Sequence, residues 1–209
     1  MQGTTSQKVG RLMTDLITHP QYLSRYVPHN VINHTSPLEL ELPWFSYAAI
    51  DFLKDFLKPD MRVCEYGSGG STLFFSKRVR SVYSIEDNPE WFERVSRTLK
   101  EKGVTNVEMI LCPFDFKNPV GFDKSAYLNA LNEGEWDVIV VDTSEEWTLV
   151  RPTVFAHAEN FVKPGGIIVV DDSWRYPALR QNHHAKDVQV LQSVGPGRPG
   201  VTSTDIFFY

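Results

Sequence analysis

The stretch VCEYGSGG, residues 63–70, decides the fold of this chain. Its first half belongs to a segment, residues 62–66, that predicts a short β-strand, and its second half is a glycine-rich turn. Residues 71–79 then follow a pattern that predicts a helix. Glycine lets a backbone turn tightly and lets a ligand approach it closely, and the free amides of a following helix favour an anionic group. The stretch therefore predicts a ligand-binding turn between a strand and a helix.

Strand and helix patterns alternate after this turn. Asn88 and Pro89 begin a helix that Gly103 ends, residues 152–162 predict another, and a short one lies near residues 123–131. Continuously apolar residues at 138–141 are typical of a strand buried on both faces in a parallel sheet. We expect an α/β fold with a seven-stranded, mostly parallel sheet, helices on both faces and a C-terminal antiparallel hairpin. The predicted strands cover residues 62–66, 81–85, 107–111, 136–141, 167–170, 188–194 and 202–209.

Residues 1–60 differ from the rest of the chain. Residues 1–42 look irregular or weakly helical because proline-containing pairs interrupt them. Residues 43–58 predict a helix with Pro43 at its first position and Pro59 after its end. We therefore divide the chain into an N-terminal helical extension, residues 1–60, and one α/β domain, residues 61–209. The extension either covers the functional site or builds a homo-oligomer, and the sequence leaves both open.

Composition narrows the classes of function. The 209 residues are 42% hydrophobic and 22% charged, as in ordinary globular proteins. No aliphatic run exceeds four residues, whereas a bilayer span needs about 20, so we expect no membrane partner. The formal net charge of −5 argues against a nucleic-acid partner, because phosphate binding requires clustered Lys and Arg. Two cysteines and the lack of a signal-peptide pattern predict a cytoplasmic location.

Polar side chains stand where the predicted strands end, which is where open α/β sheets bind ligands. Glu86 ends the second strand, 19 residues beyond Gly67, and a carboxylate there can accept both hydroxyls of a ribose. The glycine turn and this acid together predict a nucleoside-cofactor site. A dinucleotide turn would read G-x-G-x-x-G, but Thr72 occupies the third glycine position here. Glu65 also stands where dinucleotide-binding proteins usually continue an apolar strand.

From residue 61 to residue 209 the chain resembles the class I S-adenosylmethionine-dependent methyltransferases, which have a Rossmann-like sheet. The motifs that carry the resemblance are VCEYGSG at 63–69, Glu86, residues 136–142 and VKPGG at 162–166, and the C-terminal hairpin is also the usual ending of that family. One departure is Ser71, which stands where the family often has a third glycine, with Gly70 beside it. The resemblance implies S-adenosylmethionine as cofactor, with its methionine part held by Glu65, Gly67, Ser68 and Gly69, its ribose by Glu86, its adenine near Cys112, Pro113 and Phe114, and its methyl group beside Asp142 as the catalytic residue.

Three carboxylates form a candidate metal site. Asp142, Asp171 and Asp172 follow the ends of two neighbouring predicted strands. Oxygen ligands suit Mg²⁺ or Ca²⁺, and such an ion can lower the pKa of an acceptor hydroxyl. The arrangement looks like that of metal-dependent O-methyltransferases, so Mg²⁺ is a possible second cofactor. The alternative is that these acids are ordinary residues of strand ends, which are common in this fold.

Side chains near the strand ends suggest how an acceptor is bound. Arg151 and Arg175 are candidates for meeting an acidic acceptor, and His183 with His184 reads as a surface pair. Aromatic residues that follow the strands are candidates for a pocket wall, namely Trp147, Trp174 and Tyr176. Trp44 is assigned instead to core packing.

The predicted function is S-adenosylmethionine-dependent methyl transfer to a small molecule, with oxygen as the expected acceptor atom. Orientation alone supplies much of the acceleration in such a displacement, so a strong catalytic signature is not required. Two alternatives stay open at this stage. One is an NAD(P)-dependent oxidoreductase, and the other is a catalytically silent cofactor-binding module.

Overall fold

The computed structural model describes residues 3–131, 134–144 and 146–209, and these contain one seven-stranded sheet. The strand order is β3-β2-β1-β4-β5-β7-β6. Neighbouring strands among β1 to β5 pair in parallel, and β7 pairs antiparallel with both β5 and β6. The predicted fold class is therefore confirmed. The strands are β1 (Arg62–Tyr66), β2 (Ser81–Glu86), β3 (Val107–Leu111), β4 (Trp136–Val141), β5 (Val162–Val170), β6 (Asp187–Val194) and β7 (Val201–Phe208).

Helices precede the sheet and connect its strands. Helix α6 begins at Pro89 behind an Asn88 cap, as predicted, and ends at Glu101 just before Gly103. The described helices are α1 (Thr5–Thr18), α2 (Pro20–Tyr26), α3 (Pro37–Leu40), α4 (Tyr47–Phe56), α5 (Gly70–Ser76), α6 (Pro89–Glu101), α7 (Ala126–Asn129) and α8 (Val150–Ala158). A π-helical segment (Val27–Ile32) follows α2, and short 3-10 turns lie at Phe122–Lys124, Ser173–Arg175 and Pro177–Arg180. None of the helices in the described ranges is both long and apolar enough to cross a bilayer.

The N-terminal region is more helical than the sequence analysis predicted. Helix α1 is closed by a capping box in which Thr4 Oγ1 accepts from the Gln7 amide and the Gln7 side chain accepts from the Thr4 amide. The capping-box residues are present in the sequence, but the prolines that follow them favoured an irregular structure in the prediction. Helix α4 begins at Tyr47 rather than Pro43, because Ser46 Oγ accepts from the Ala49 amide and so caps the helix.

Strand β5 and helix α8 also differ from their predicted bounds. The helix ends at Ala158, and the segment Lys163-Pro164-Gly165-Gly166 lies inside β5 rather than between helix and strand. Trp136 of β4 pairs with Val162 of β5, but Val138 pairs with Ile167. The part of β5 between these two pairs is longer than the facing part of β4, so its extra residues form an irregularity in β5. Helix α5 is shorter than the predicted helix over residues 71–79, and the predicted helix near residues 123–131 is replaced by a 3-10 turn followed by the short α7.

Both faces of the sheet are buried. Side chains that alternate along β4 and β5 enter two separate cores, with Ile139 and Ile168 on one face and Val138 and Ile167 on the other. Helix α8 packs on the first face and helix α4 on the second. Tyr22 of α2 is part of the second core, so the first 60 residues share a hydrophobic core with the sheet.

Residues 35–46 run across the carboxyl edge of the sheet. A Cβ atom on Gly70 would lie 2.2 Å from the Leu42 carbonyl oxygen, and one on Gly195 would lie 2.2 Å from the Phe45 carbonyl oxygen. Only glycine allows such close approach of two backbones. The N-terminal segment is therefore packed between the β1–α5 turn and the β6–β7 turn.

Candidate functional site

A cleft of about 490 Å³ opens at the carboxyl edge of the sheet, and we call it the strand-end cleft. This volume is within the usual range for pockets that hold small molecules and cofactors. The residues around it come from the strand ends, from helices α6 and α8, from the 3-10 turn after β5, from the N-terminal segment and from the β6–β7 turn: Trp44, Ser68, Glu86, Asp87, Asn88, Trp91, Asp142, Thr143, Ser144, Arg151, Asp172, Arg175 and Arg198.

Two features require glycine in the turn of the cleft: a positive φ and the close approach of another backbone segment. Gly67 has φ +91°, and a Cβ atom there would lie 2.2 Å from the Asp142 carbonyl oxygen, so the ends of β1 and β4 approach each other at this residue. Gly69 has φ +155° and lies beside the Trp91 ring. Gly70 is required instead by the N-terminal segment that crosses it. The departure from the family glycine pattern at Gly70 and Ser71 therefore coincides with a packing contact of this chain.

Glu65 is fully buried beneath the turn. Its Oε1 accepts hydrogen bonds from Thr72 Oγ1 at 2.5 Å and from Ser84 Oγ at 2.8 Å. Its Oε2 is buried and has no hydrogen-bond partner among the described residues. Burial raises the pKa of this carboxyl to about 7. Buried carboxylate oxygens are rarely left without a donor, so Oε2 fits a donor that a ligand brings, above all a cationic one.

Glu86 links the second strand to the glycine turn. Its Oε2 accepts from the Ser68 amide at 2.9 Å and from Ser68 Oγ at 2.6 Å, and its Oε1 accepts from the Asn88 amide at 3.0 Å. Each carboxylate oxygen can accept further hydrogen bonds, so these contacts leave capacity for ribose hydroxyls. Glu65, Gly67, Ser68, Gly69 and Glu86 are thus brought together, as the sequence analysis expected.

Asp142, at the end of β4, is paired with a buried arginine. Arg151 Nη2 donates to Asp142 Oδ1 at 2.9 Å, and the same guanidinium donates to the backbone oxygens of Thr143 and Asp171. The Arg151 side chain is only 4% exposed. Burial raises the pKa of the Asp142 carboxyl, and the charge of Arg151 opposes that rise. Arg151, a candidate for meeting an acidic acceptor, instead lies behind Asp142 and fixes its orientation.

The three aspartates predicted as metal ligands are each held by an arginine side chain. Arg198 Nη2 lies 2.6 Å from Asp171 Oδ2 and Arg198 Nη1 lies 2.7 Å from Asp172 Oδ1. Thr204 Oγ1 and Thr202 Oγ1 donate to the remaining Asp171 oxygen and to Asp172 Oδ1. Across residues 3–131, 134–144 and 146–209, no three His, Cys, Asp or Glu side chains are grouped as metal ligands. The donor set around Asp142, Asp171 and Asp172 therefore does not fit Mg²⁺.

Three residues at the site were missed or misassigned by the sequence analysis. Trp91 Nε1 donates to the Ser68 carbonyl at 2.8 Å and so supports the glycine turn. Trp44 is 51% exposed and lines the cleft rather than the core, with the Arg198 guanidinium 5.4 Å from its ring centroid. Arg198 stands in a glycine- and proline-rich turn that indicated only a chain reversal. No local sequence signal identifies its partners, which lie 26 and 27 residues earlier.

Other predicted residues lie farther from the cleft. Phe114 packs at 5.0 Å from Phe122, in an aromatic cluster that also holds Trp147, and it is not part of the described cleft wall. Its predicted place beside an adenine stays a prediction. Trp174 donates from Nε1 to Asp172 Oδ1 at 3.1 Å. His183 packs its ring against Phe207, whereas His184 is exposed beside Glu159.

The chain is similar in structure to solved methyltransferases. A protein from Klebsiella pneumoniae assigned to the O-methyltransferases is 15% identical, with a TM-score of 0.62 over 97% of this chain and 98% of that one. The O-methyltransferase TomG from Streptomyces achromogenes, involved in tomaymycin synthesis and solved with S-adenosylmethionine, is 18% identical, with a TM-score of 0.58 over 96% and 97%. An rRNA methylase from Streptococcus thermophilus is 14% identical, with a TM-score of 0.55 over 76% and 92%.

The sequence itself matches no protein-family model and no curated protein. At the identities given above, structural similarity establishes the fold and leaves the activity to be argued from the site. The sheet order with an antiparallel seventh strand, the glycine turn at its centre and full-length similarity to solved O-methyltransferases agree with one another. This chain has the Rossmann-like fold of the class I S-adenosylmethionine-dependent methyltransferases.

Proposed function

We propose that this protein transfers a methyl group from S-adenosylmethionine to an oxygen atom of a small molecule. The observation that carries the proposal is the buried Glu65 Oε2, which lacks a hydrogen-bond donor beneath a glycine turn. The ammonium group of the methionine part of that cofactor is the kind of donor that this oxygen fits. An NAD(P) molecule would bring phosphates to the same turn, and a buried carboxyl there would disfavour them.

The chain's own residues define how the cofactor is held. Glu65 binds the ammonium group, the backbone of Gly67, Ser68 and Gly69 binds the methionine part, and Glu86 accepts hydrogen bonds from the ribose. When bound, the cofactor supplies an electrophilic methyl group on a sulfonium. Glu86 and the glycine turn are already joined through Ser68, so the two halves of the pocket are preorganised.

Asp142 is the proposed catalytic residue. An acceptor hydroxyl must lose its proton as the new carbon–oxygen bond forms, and a carboxylate close to the methyl position can accept that proton. Arg151 holds Asp142 Oδ1, and the Asp142 side chain remains 26% exposed toward the cleft. Burial raises the pKa of Asp142, which brings it closer to that of an effective base at neutral pH.

A small molecule fits the site better than a nucleic acid does. The cleft has the volume of a small-molecule pocket, and the N-terminal segment with Trp44 forms one of its walls. The chain as a whole carries a net charge of −5, which opposes a polyanion. The similar rRNA methylase shares the fold only, so its activity does not determine the acceptor of this chain.

Ligand-induced stabilisation tests the proposal. S-adenosylhomocysteine should raise the melting temperature, whereas NAD should not, because a ligand that binds the native state stabilises it. Glu86→Ala should lose most of that shift, and Glu93→Ala, an exposed change on α6, should keep it. A shift with NAD alone would overturn the assignment. A protein that binds S-adenosylhomocysteine but methylates no hydroxylated small molecule would be a silent cofactor-binding module.

A further inference from the structure

A groove of about 700 Å³ lies beside the strand-end cleft and is lined by helix α8 and by the two 3-10 turns that follow β5. We call it the aromatic groove, after Phe155, Trp174 and Tyr176 in its lining. Nine of the twelve described residues that line it have apolar or aromatic side chains, and Arg175 carries the one charge among them. Such a lining favours a ligand with a large apolar part.

The buried residues of the aromatic groove, which form its floor, belong to the hydrophobic core on one face of the sheet. Phe155 of α8 is buried, and its ring centroid lies 4.6 Å from that of Phe207 in β7. Tyr176 and Leu179 are buried members of the same core. Close packing in a core keeps such side chains in place, so the floor is already formed before a ligand binds.

The rim of the aromatic groove leaves apolar surface in contact with solvent. Leu149, at the start of α8, is 55% exposed. Ala156 of the same helix and Pro177 and Ala178 of the second 3-10 turn are also exposed. Single exposed apolar residues are common, but a set of them around a groove marks a place where a ligand or another molecule binds.

The aromatic groove and the strand-end cleft meet at Arg175, which lines both spaces. They also lie on either side of the first turn of α8, because Arg151 lines the cleft and Pro152, the next residue, lines the groove. Arg151 Nη2 donates to Asp142 Oδ1 at 2.9 Å. The groove therefore begins beside the side chain that orients the proposed catalytic carboxylate, and one molecule can extend from the groove into the cleft.

We propose that the aromatic groove binds the apolar body of the methyl acceptor while the acceptor's hydroxyl lies beside Asp142 in the strand-end cleft. The inference rests on the proposed function, because it assigns the substrate class of that site. S-adenosylmethionine would occupy much of the cleft, so the rest of the acceptor needs a neighbouring space.

The lining and the size of the aromatic groove define the acceptor further. The rings of Trp174 and Tyr176 offer partners for aromatic packing, whereas a sugar-like body would lose water there without gaining matching hydrogen bonds. A cavity of about 150 Å³ holds one benzene molecule, so the groove, at about 700 Å³, has room for more than one ring. The acceptor is therefore a hydroxylated aromatic compound with at least two rings.

Calorimetry in saturating S-adenosylhomocysteine tests the proposal with three uncharged probes, 2-naphthol, phenol and myo-inositol. 2-Naphthol should bind about 10-fold more tightly than phenol, because its second ring buries additional apolar surface, and myo-inositol should bind more weakly than either. The variant Leu149→Gln/Ala156→Gln places polar groups on the rim of the groove and should weaken 2-naphthol binding about 5- to 10-fold. Both residues are exposed, so the variant should fold and should keep the affinity for S-adenosylhomocysteine.

The matched control is Val120→Gln/Val190→Gln, which replaces two exposed apolar side chains outside the groove and the cleft and should leave 2-naphthol binding unchanged. The inference is overturned if S-adenosylhomocysteine binds but 2-naphthol binds no more tightly than phenol, or if Leu149→Gln/Ala156→Gln binds 2-naphthol as tightly as the unmodified chain. A dimer in analytical ultracentrifugation that this variant dissociates would assign the groove to a second copy of the chain and would also overturn it. If S-adenosylhomocysteine itself does not bind, the proposed function fails instead.

Discussion

Asp142 and Arg151 form an ion pair in which the buried arginine lies behind the partly exposed carboxylate. Arg151 Nη2 is 2.9 Å from Asp142 Oδ1, and its other donors meet the carbonyls of Thr143 and Asp171. The pair joins the end of β4 to the start of α8. It leaves the exposed part of the Asp142 carboxylate directed at the cleft.

The first prediction concerns this pair. Arg151→Met should lower the free energy of unfolding by about 3–5 kcal/mol, because it leaves the Asp142 carboxylate, which is only 26% exposed, without this partner and removes the donors to two backbone oxygens. The double variant Arg151→Met/Asp142→Leu should recover part of that loss, since no unpaired charge remains. Urea denaturation of both single variants and the double variant measures the coupling. Purely additive losses would show that the two side chains do not stabilise each other.

The second prediction concerns the glycine turn. Gly67→Ala should lower the free energy of unfolding by about 3 kcal/mol, because it combines a positive φ with a Cβ placed 2.2 Å from the Asp142 carbonyl oxygen. Gly103→Ala has the same kind of backbone at φ +66° but open space around it, so it should cost only about 1 kcal/mol. Thermal unfolding measures both variants. If Gly67→Ala and Gly103→Ala lose equal stability, the close approach of β1 and β4 at Gly67 adds nothing to the cost of the Gly67 substitution.

Sequence patterns predicted the sheet and the placing of the glycine turn and its two acids at the strand ends. Alternating strand and helix patterns predict a parallel sheet, and Glu65, Gly67 and Glu86 stand at strand ends, so the local pattern places them at the same edge of that sheet. The N-terminal segment was harder to predict. Its course across the carboxyl edge depends on the close approaches at Gly70 and Gly195, which join residues far apart in the chain.

The arginine partners of the three aspartates could not be predicted from the sequence for a related reason. Carboxylates that follow neighbouring strands look the same in sequence whether a metal ion or a guanidinium neutralises them. Arg198 comes 26 residues after Asp172, in a turn, and only the folded hairpin brings it to the two aspartates. Tertiary structure, and not local sequence, therefore brings the Arg198 guanidinium to Asp171 and Asp172.

The third prediction concerns pH and Glu65. Its pKa rises from an ordinary value of 4.5 to about 7 in the folded protein, so the folded state favours the neutral carboxyl. Without ligand, the corresponding stability is fully present below pH 4.5 and is lost as pH rises to about 7, which amounts to about 3 kcal/mol. Glu65→Gln should remove this dependence, and denaturation at pH 5 and pH 8 checks it.

Ligand binding should follow the opposite trend. An ionised Glu65 attracts the ammonium group of S-adenosylhomocysteine, so affinity should rise as pH increases from 6 to 8. In Glu65→Gln the affinity should be lower and nearly independent of pH over that interval. Calorimetry at three pH values measures both proteins. An affinity that rises equally in the variant would assign the titration to another group, such as Asp87, whose pKa burial raises to about 6.

The last prediction concerns Asp171 and Asp172, the two carboxylates that Arg198 neutralises. Because the guanidinium takes Asp171 Oδ2 and Asp172 Oδ1, neither Mg²⁺ nor EDTA should change the melting temperature or the affinity for S-adenosylhomocysteine. Arg198→Leu should cost about 3–5 kcal/mol, since Asp171 is fully buried and would lose its counter-charge, whereas Arg80→Leu at an exposed position should cost little. Added Mg²⁺ should stabilise Arg198→Leu more than the unmodified chain, because the variant removes the guanidinium that contacts both carboxylates. Stabilisation of the unmodified chain by Mg²⁺ would restore the metal site that the arginine contacts exclude.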